Sequence, residues 1–342
     1  MKKKSILFLF IILLILGAGI YTAYDAIYGE NTLESERITI IPPNSSATVI
    51  ADSLAHAGII RNKYSFMIAL KLLDKESQLH PGIYEFKPHE TNKDIIFDLS
   101  HVRNAQHYFA TFPEGITSFA IAHIAHEQLN IDSARFVHLV HDSAFVHSLG
   151  IDAVSLEGYL FPDTYEFDPP VTEKAVAARM VYAFRHFFTD SLMHRCNVLG
   201  MTQEQILTLA SIVEGEAAED TERARIAGVY WNRLHDSMKL EADPTIQYIL
   251  GSPRRLSYDD LRIESPYNTY IHPGLPPTPI NNPGRASILA ALYPEKNDYI
   301  YFVARGDGSR MHRFSRTIEE HEKAVEMYRR ERNKSAISSK GG

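Results

Sequence analysis

The sequence predicts an α+β protein with a single N-terminal transmembrane helix, a small α+β unit and then a larger mixed α+β domain. Three observations carry that prediction. Lys2, Lys3 and Lys4 precede an apolar run from Ile6 to Ala23, broken only by Gly17, Gly19 and Thr22; short strand and helix patterns then alternate as far as Phe112; and from Met201 capped helices give way to proline-rich loops and a closing hairpin. At 342 residues the chain exceeds the ~250–300 at which a single core stops growing, so at least two folded units are expected. Apolar residues make up 45% and charged residues 23%, a globular composition that excludes disorder for the bulk of the chain. The 35 Lys+Arg against 42 Asp+Glu leave a net charge of −7, which argues against a nucleic-acid partner, whose affinity comes chiefly from cations that displace counterions. Cys196 is the only cysteine, so an internal disulfide and a cysteine-based zinc site are excluded.

The apolar run fits a membrane anchor. At ~1.5 Å per residue it spans about 27 Å, close to the thickness of a bilayer's hydrocarbon core. Residues 1–5 form the cytoplasmic tail and residues 6–24 the span, with Tyr21, Tyr24 and Tyr28 as interfacial anchors. A cleaved signal peptide would need a shorter apolar core followed by a small-x-small site, whereas Gly17 and Gly19 lie inside the run. Lysines before the span, against Asp25 and Glu30 after it, predict a single-pass protein of the cytoplasmic (inner) membrane, N-terminus inside and the remainder extracytoplasmic.

Residues 25–36 are polar and aperiodic and read as a stalk. Arg37 to Ile41 alternates as a strand, which Pro42-Pro43-Asn44 breaks. Ser45 or Ser46 can cap a helix carrying Val49, Ile50 and Leu54, with Gly58 at its C-terminal end. A helix from Tyr64 to Leu73, a strand from Gly82 to Phe86 and a helix from Asn92 to Leu99 complete a small unit over residues 37–106. The larger domain spans residues 107–332. It opens with a strand from Tyr108 to Phe112, and a helical, histidine-rich stretch from Glu114 to Arg195 is interrupted by a turn-forming segment from Glu157 to Tyr165. Its closing hairpin pairs Tyr299–Ala304 with Met311–Ser315 around Arg305-Gly306-Asp307-Gly308, and Thr317 with Glu320 caps the last helix. Residues 333–342, rich in Ser, Lys and Gly, read as a disordered tail.

The candidate catalytic residue is Glu214. Thr202 and Gln205 form a capping box that opens a helix through Glu216, and at 3.6 residues per turn Glu214 falls above Leu207, Ala210 and Ser211 on a small, apolar ridge. Glu216 points elsewhere. Desolvation on such a ridge disfavours the charged carboxylate and shifts it toward a proton donor near neutral pH, although a glutamate at the rim of a core face gives the same spacing. A second helix starts near Asp220 or Thr221, presents Ile226, Val229, Tyr230 and Leu234 on one face, and ends near Asn232-Arg233. Beyond it, Leu240 to Thr245, Pro266 to Tyr270 and Gly274 to Gly284 are proline-locked stretches predicted to be irregular loops. Their Tyr, Asn and Asp side chains suit a sugar groove, with aromatic faces for rings and amides for hydroxyl and acetamido groups.

Taken together, these motifs resemble the YceG-like (MltG) family of endolytic murein transglycosylases. The resemblance covers nearly the whole exported chain: Pro113-Glu114-Gly115, Glu157 to Tyr165, Leu209-Ala210-Ser211-Ile212-Val213-Glu214, Asn232-Arg233-Leu234, Asp243-Pro244-Thr245, Tyr267-Asn268-Thr269-Tyr270, the Gly274 to Gly284 loop, Tyr299-Ile300-Tyr301-Phe302-Val303 and His312-Arg313-Phe314. It implies a LysM-like fold for the small unit and a YceG-like catalytic domain after it. Glu214 falls at the family's catalytic glutamate. The implied substrate is nascent peptidoglycan at the membrane, cleaved between N-acetylmuramic acid and N-acetylglucosamine to leave 1,6-anhydro ends, terminating glycan elongation beside peptidoglycan synthases as candidate partners, with no cofactor and no metal.

Such an enzyme uses the substrate's own C6 hydroxyl as nucleophile. One carboxyl group can then protonate the glycosidic oxygen and afterwards take the hydroxyl proton, where an ordinary glycosidase needs two. Asn232, Asp243, Tyr267 and Asn268 form the expected substrate-binding set. Two positions depart from the family pattern: Gly215 replaces a lysine, which loosens the helix end by up to ~1 kcal/mol, and Glu241 replaces a glutamine, which adds a like charge if its loop folds over Glu214.

Other chemistries fit less well. His123 with His126 and His138 with His141 stand three apart, but no His-Glu-x-x-His run accompanies them. No Gly-x-Ser-x-Gly elbow and no phosphate-binding loop is present. Two alternatives stand beside the lyase: a muramidase-type hydrolase in which Asp243 or Glu241 activates water, and a non-catalytic, membrane-tethered glycan-binding scaffold. In the final hairpin His312 either packs or meets substrate.

Overall fold

The computed structural model describes residues 2–42, 45–100, 108–168 and 171–338. The chain divides into two compact units, one built from residues 1–108 with 166–179 and the other from 109–165 with 180–342. The expected continuous domain over 107–332 is therefore interrupted, because residues 166–179 return to the first unit. Lys174 secures that return through ion pairs with Glu36 and with Glu85, the latter at 3.0 Å. The expected boundary at 106/107 and the break at Pro43-Asn44 lie outside the described residues.

The first unit holds α1 (Lys2–Tyr28), β1 (Arg37–Ile41), α2 (Ala47–His56), α3 (Lys63–Leu72), β2 (Gly82–Phe86) and α4 (Asn92–Ser100). β1 and β2 pair antiparallel, with Arg37 opposite Phe86 and Ile41 opposite Gly82. Ile50, Leu54, Phe66, Leu70, Phe86, Ile95 and Leu99 form the centre of its core, and the side chain of Ser46 caps α2 by accepting from the Val49 N–H. α1 is long and apolar enough to cross a membrane over Leu7–Tyr28.

The predicted stalk is instead part of this unit. α1 continues to Tyr28, Ala26 and Leu33 are buried, Asn92 donates to the Ala26 carbonyl at 2.8 Å, and Asp25 pairs with Arg61 at 2.7 Å. Asn31 donates to the Glu90 carbonyl and accepts from the Arg61 N–H. A short polar segment that buries two apolar side chains and spends its amide on backbone groups folds down; periodicity over twelve residues could not reveal that.

The second unit holds β3 (Tyr108–Thr111), α5 (Ser118–Leu129), α6 (Ser133–Val140), α7 (Ser143–Ser148), β4 (Thr164–Phe167), α8 (Glu173–Phe187), α9 (Asp190–Leu199), α10 (Gln203–Glu216), α11 (Asp220–His235), α12 (Asp243–Leu250), α13 (Arg285–Leu292), β5 (Tyr301–Ala304), β6 (His312–Ser315) and α14 (Ile318–Ser338), the first turns of α8 belonging to the other unit. α10 is its central helix, buried from Ile206 to Val213 and packed against α11 and α13. A helix apolar on every side belongs in the middle of a core. β5 and β6 form the expected antiparallel hairpin, Tyr301 opposite Ser315. Two expectations need correcting. Pro244 does not exclude helix, because it sits in the first turn of α12, where a missing N–H costs nothing. The C-terminal tail is helical through Ser338 rather than disordered from 333: Arg330 with Glu326 and Lys334 with Glu331 add helical ion pairs. Residues 339–342 lie outside the described residues.

Candidate active site

Three elements place the groups around Glu214. The capping box at Thr202 and Gln205 starts α10 as predicted, and Glu214 arrives two residues before the helix ends. α11, after a three-residue turn, returns Arg223. The Gly274 to Gly284 loop comes back over the end of α10 and ends at Gly284, the N-cap of α13. Two contacts stitch that loop to α10: the Ile280 N–H donates to Ser211 Oγ at 3.0 Å, and Asn281 Nδ2 donates to the Ser211 carbonyl at 2.8 Å.

The Glu214 carboxyl is gripped from two sides. Arg223 Nη1 donates to Oε1 at 3.0 Å, and the Gly284 N–H donates to Oε2 at 3.0 Å. Side-chain exposure is 6% for Glu214 and 10% for Arg223, so the pair is nearly dry. Arg223 is fixed in turn by Asp220 Oδ1 at 2.8 Å and by Ser287 Oγ at 2.7 Å, while the Gly284 amide at the start of α13 adds the positive end of a helix. The expectation of an isolated acid on an apolar ridge is thus corrected. The ridge is as predicted, but a cation and a backbone amide converge on it, and both match a carboxylate acceptor.

A second carboxyl group stands beside the first. The Pro113-Glu114-Gly115 segment is clipped to the loop by the Gly115 N–H on the Asn282 carbonyl at 2.9 Å and the Asn282 N–H on the Ile116 carbonyl at 3.0 Å. Gly115 has φ +75°, and a Cβ there would lie 3.1 Å from Glu214 Cγ. The Glu114 carboxyl occupies the space a Cβ on Gly284 would need. Partial burial, and then the nearby Glu214 charge, push the Glu114 carboxyl above its ordinary range, against the pull of Arg223.

Glu157 anchors this arrangement from behind. It is 1% exposed and accepts from the Ser118 N–H, from Ser118 Oγ at 2.7 Å and from Asn282 Nδ2 at 2.7 Å. Asn282 Oδ1 accepts from the Gly158 and Leu160 N–H groups, so one amide joins the 115–118, 157–160 and 282–284 segments. Burial raises the Glu157 carboxyl to about 7, opposed by those bonds.

The expected substrate-binding residues divide. Asn268 is fully buried: it donates to the Leu261 and Ile263 carbonyls and accepts from the Tyr270 N–H, which closes its own loop. Asn232 spends its Nδ2 on the Asn297 and Tyr299 carbonyls at 2.9 and 2.8 Å. Both amides thus donate to backbone carbonyls, and Asn232 remains half-exposed. Asp243 is exposed and accepts from the Tyr270 hydroxyl at 2.6 Å. Tyr267 is half-buried, with its hydroxyl 2.8 Å from Thr278 Oγ1 and its ring centroid 5.0 Å from that of Tyr248.

The two departures from the family pattern acquire physical reasons. A Cβ at Gly215 would lie 2.6 Å from Pro244 Cβ and 2.7 Å from Pro244 Cγ, so glycine lets the Asp243-Pro244-Thr245 turn close against α10. The Glu241 carboxylate pairs with the buried Arg233 at 3.4 Å, a partner that accounts for its charge without Glu214. Near this turn, burial and then the Asp243 charge raise the Glu216 carboxyl to about 7, while the Tyr230 hydroxyl donates to it at 3.0 Å. His312 is bound through Nδ1 to the buried Glu222 at 2.9 Å, which ties β6 to α11.

Sequence reasoning missed Arg223, Gly284 and the approach of Glu114 to Gly284. Glu114 and Gly284 belonged to quoted motifs, while Arg223 lay in a helix read for its apolar face.

Residues 39–327 match the family model described as the YceG-like family. The chain is 32% identical over 324 residues to a Bacillus subtilis (strain 168) protein named endolytic murein transglycosylase, covering 88% of this chain and 89% of that one. It is 26% identical over 359 residues to the protein of that name from Streptococcus pneumoniae serotype 2 (strain D39 / NCTC 7466), covering 94% of this chain and 65% of that one. Among solved structures, the 2.6 Å crystal structure of a yceG-like protein from Listeria monocytogenes aligns with a TM-score of 0.58 at 33% identity, covering 85% of this chain and 99% of that chain.

Proposed function

The chain belongs to the YceG-like family, and on that premise we propose that it is an endolytic murein transglycosylase with Glu214 as its catalytic carboxyl group. It cleaves the bond between N-acetylmuramic acid and N-acetylglucosamine in peptidoglycan strands and leaves 1,6-anhydro ends. The observation that carries the reading is the Glu214 carboxyl, nearly dry and held by Arg223 and the Gly284 N–H where three otherwise distant segments converge. An acceptor fixed in that way is preorganised to take the proton of the muramic acid C6 hydroxyl as its oxygen attacks C1, and an intramolecular nucleophile removes the need to activate water. Asn232, Asp243, Tyr267 and Asn268 stay the proposed substrate-binding set, of which Asn232, Asp243 and Tyr267 keep accessible surface for the sugar and Asn268 shapes the loop that carries Tyr267.

The same reading gives α1 as a single-pass anchor of the cytoplasmic membrane, N-terminus inside, with residues 107–332, apart from the 166–179 return, as the catalytic domain and residues 37–106 as a LysM-like domain that contacts glycan. Peptidoglycan synthases working at the same surface are candidate partners. Because the end of α1 packs into the first unit, that unit is held against the bilayer without a free linker.

The test is mass spectrometry of the ends released when the full-length protein, in detergent, is incubated with peptidoglycan strands, alongside Glu214→Gln. Ends lighter by one water, absent with the variant, are expected. Ordinary reducing ends would make the protein a hydrolase, and ends persisting with Glu214→Gln would remove Glu214 from the reaction.

A further inference from the structure

We propose that Glu114 is the second catalytic carboxyl group of this site and delivers the proton that breaks the glycosidic bond, while Glu214 acts as the base. The inference rests on the activity proposed above and divides between two residues what one glutamate would otherwise do in turn.

Three observations carry it. Glu214 is occupied as an acceptor on both oxygens, by Arg223 and by the Gly284 N–H. A cation and a backbone N–H are donors matched to a carboxylate acceptor, the form a base needs. The Glu114 carboxyl lies against Gly284, the residue whose N–H holds Glu214, and Glu114 is an exposed residue. Gly284 itself adopts φ −77° and ψ 173°, a conformation any residue reaches, so its backbone does not call for glycine. What calls for glycine there is space, because any Cβ would collide with the Glu114 carboxyl. The site is shaped to bring the two acids together.

The groups facing Glu114 set its protonation. Glu214 comes from α10, Arg223 and Asp220 from α11, and the amide end of α13 from Gly284. Partial burial and the Glu214 charge favour the protonated form of Glu114 against the pull of Arg223, while the cation and the amide contact Glu214 directly, so the proton that the step needs is placed on Glu114.

In the step, the Glu114 O–H proton passes to the glycosidic oxygen as the C1–O bond breaks, and that bond's electron pair goes to the same oxygen. The muramic acid C6 oxygen bonds to C1, and its proton passes to the Glu214 carboxylate. The turnover leaves Glu114 ionised and Glu214 protonated, and transfer of that proton to Glu114, directly or through one water, restores the starting state.

The experiment compares full-length wild type, Glu114→Gln, Glu114→Asp and Glu214→Gln on peptidoglycan strands between pH 4 and 9, and on a muramic acid glycoside whose leaving group is nitrophenol. Glu114→Gln is expected to lower kcat at least 100-fold on strands with KM within threefold, to lose the alkaline limb of the pH–rate profile, and to cleave the nitrophenyl glycoside within tenfold of wild type, since that leaving group needs no acid. Glu114→Asp is expected to be slower than wild type but to keep the alkaline limb. Glu214→Gln is expected to fail on both substrates. Strand cleavage by Glu114→Gln above a tenth of the wild-type rate, or equal losses on both substrates, overturns the proposal. Wild-type protein that releases no anhydro ends would overturn the activity reading and this division with it. Anhydro ends from wild type with an undiminished Glu114→Gln would overturn only the division.

Discussion

Arg223 reaches Glu214 and Ser287 with the same nitrogen, Nη1, at 3.0 and 2.7 Å, and so joins α10, α11 and α13 at one buried point. Removing the cation leaves the Glu214 carboxylate buried and uncompensated, a loss that costs about 3–5 kcal/mol. Arg223→Met is expected to lower the urea midpoint by that scale, and Glu214→Gln by much less, because an amide still accepts one bond. Equal midpoints for Arg223→Met and wild type would show that the pair does not hold the helices.

Gly284→Ala separates placement of Glu114 from stability. The backbone at φ −77° accepts alanine, so unfolding is expected to change by less than about 1 kcal/mol, while the Cβ displaces the Glu114 carboxyl. A displacement on the order of 1 Å in a catalytic group lowers the rate by about 100-fold. Full activity in steady-state kinetics would mean that the close approach is incidental.

Gly215→Lys installs the residue that the family usually carries. Helix propensity alone predicts a gain of up to ~1 kcal/mol. The Cβ would stand 2.6 Å from Pro244 Cβ, and overpacking of that kind costs about 1–3 kcal/mol, so net destabilisation is expected in urea titrations. A stabilised variant would show that the Asp243-Pro244-Thr245 turn moves freely.

Stability should fall as pH rises from about 5 to 7. Glu157 and Glu216 are both raised from 4.5 to about 7 in the fold, so between those values the folded chain holds protons that the unfolded chain has lost. Their contribution is complete below 4.5 and is lost as pH passes through 7, at roughly 1 kcal/mol per pH unit for each group. Urea midpoints measured from pH 4.5 to 8 should decline and then level, with a shallower decline in Glu157→Gln. A flat profile in the wild type would show that neither group is raised.

Truncation tests whether the segment after α1 is a linker. A chain beginning at Asn31 loses the buried Ala26, the Asn92 bond to its carbonyl and the Arg61–Asp25 pair; one beginning at Tyr21 keeps them. The shorter chain should unfold at lower urea, by about 2 kcal/mol from lost burial and hydrogen bonding. Matching midpoints would restore the stalk reading.

Local signals were legible where one element carried them. The capping box at Thr202, the β1 and β2 strands, the α2 cap at Ser46 and the closing hairpin all appear in the structure because each depends on residues a few positions apart. The stalk and the helical extension to Ser338 were misread for the opposite reason. Sparse burial and surface ion pairs leave little periodic trace.

The sequence by itself determined the apolar N-terminal helix, the order of elements, the family and the placement of Glu214 on a small, apolar ridge of α10, since these follow from composition, spacing and motif. Only the tertiary structure decided what surrounds that carboxyl. Arg223, Glu114 and Gly284 meet it from 9, 100 and 70 residues away, and Asn232 and Asn268 each donate to backbone carbonyls of distant or neighbouring segments. A periodic pattern specifies which face of a helix is buried; which charges and amides arrive opposite that face depends on how distant segments satisfy their own hydrogen bonds, and Glu157 and Asn282 do this at the centre of the fold.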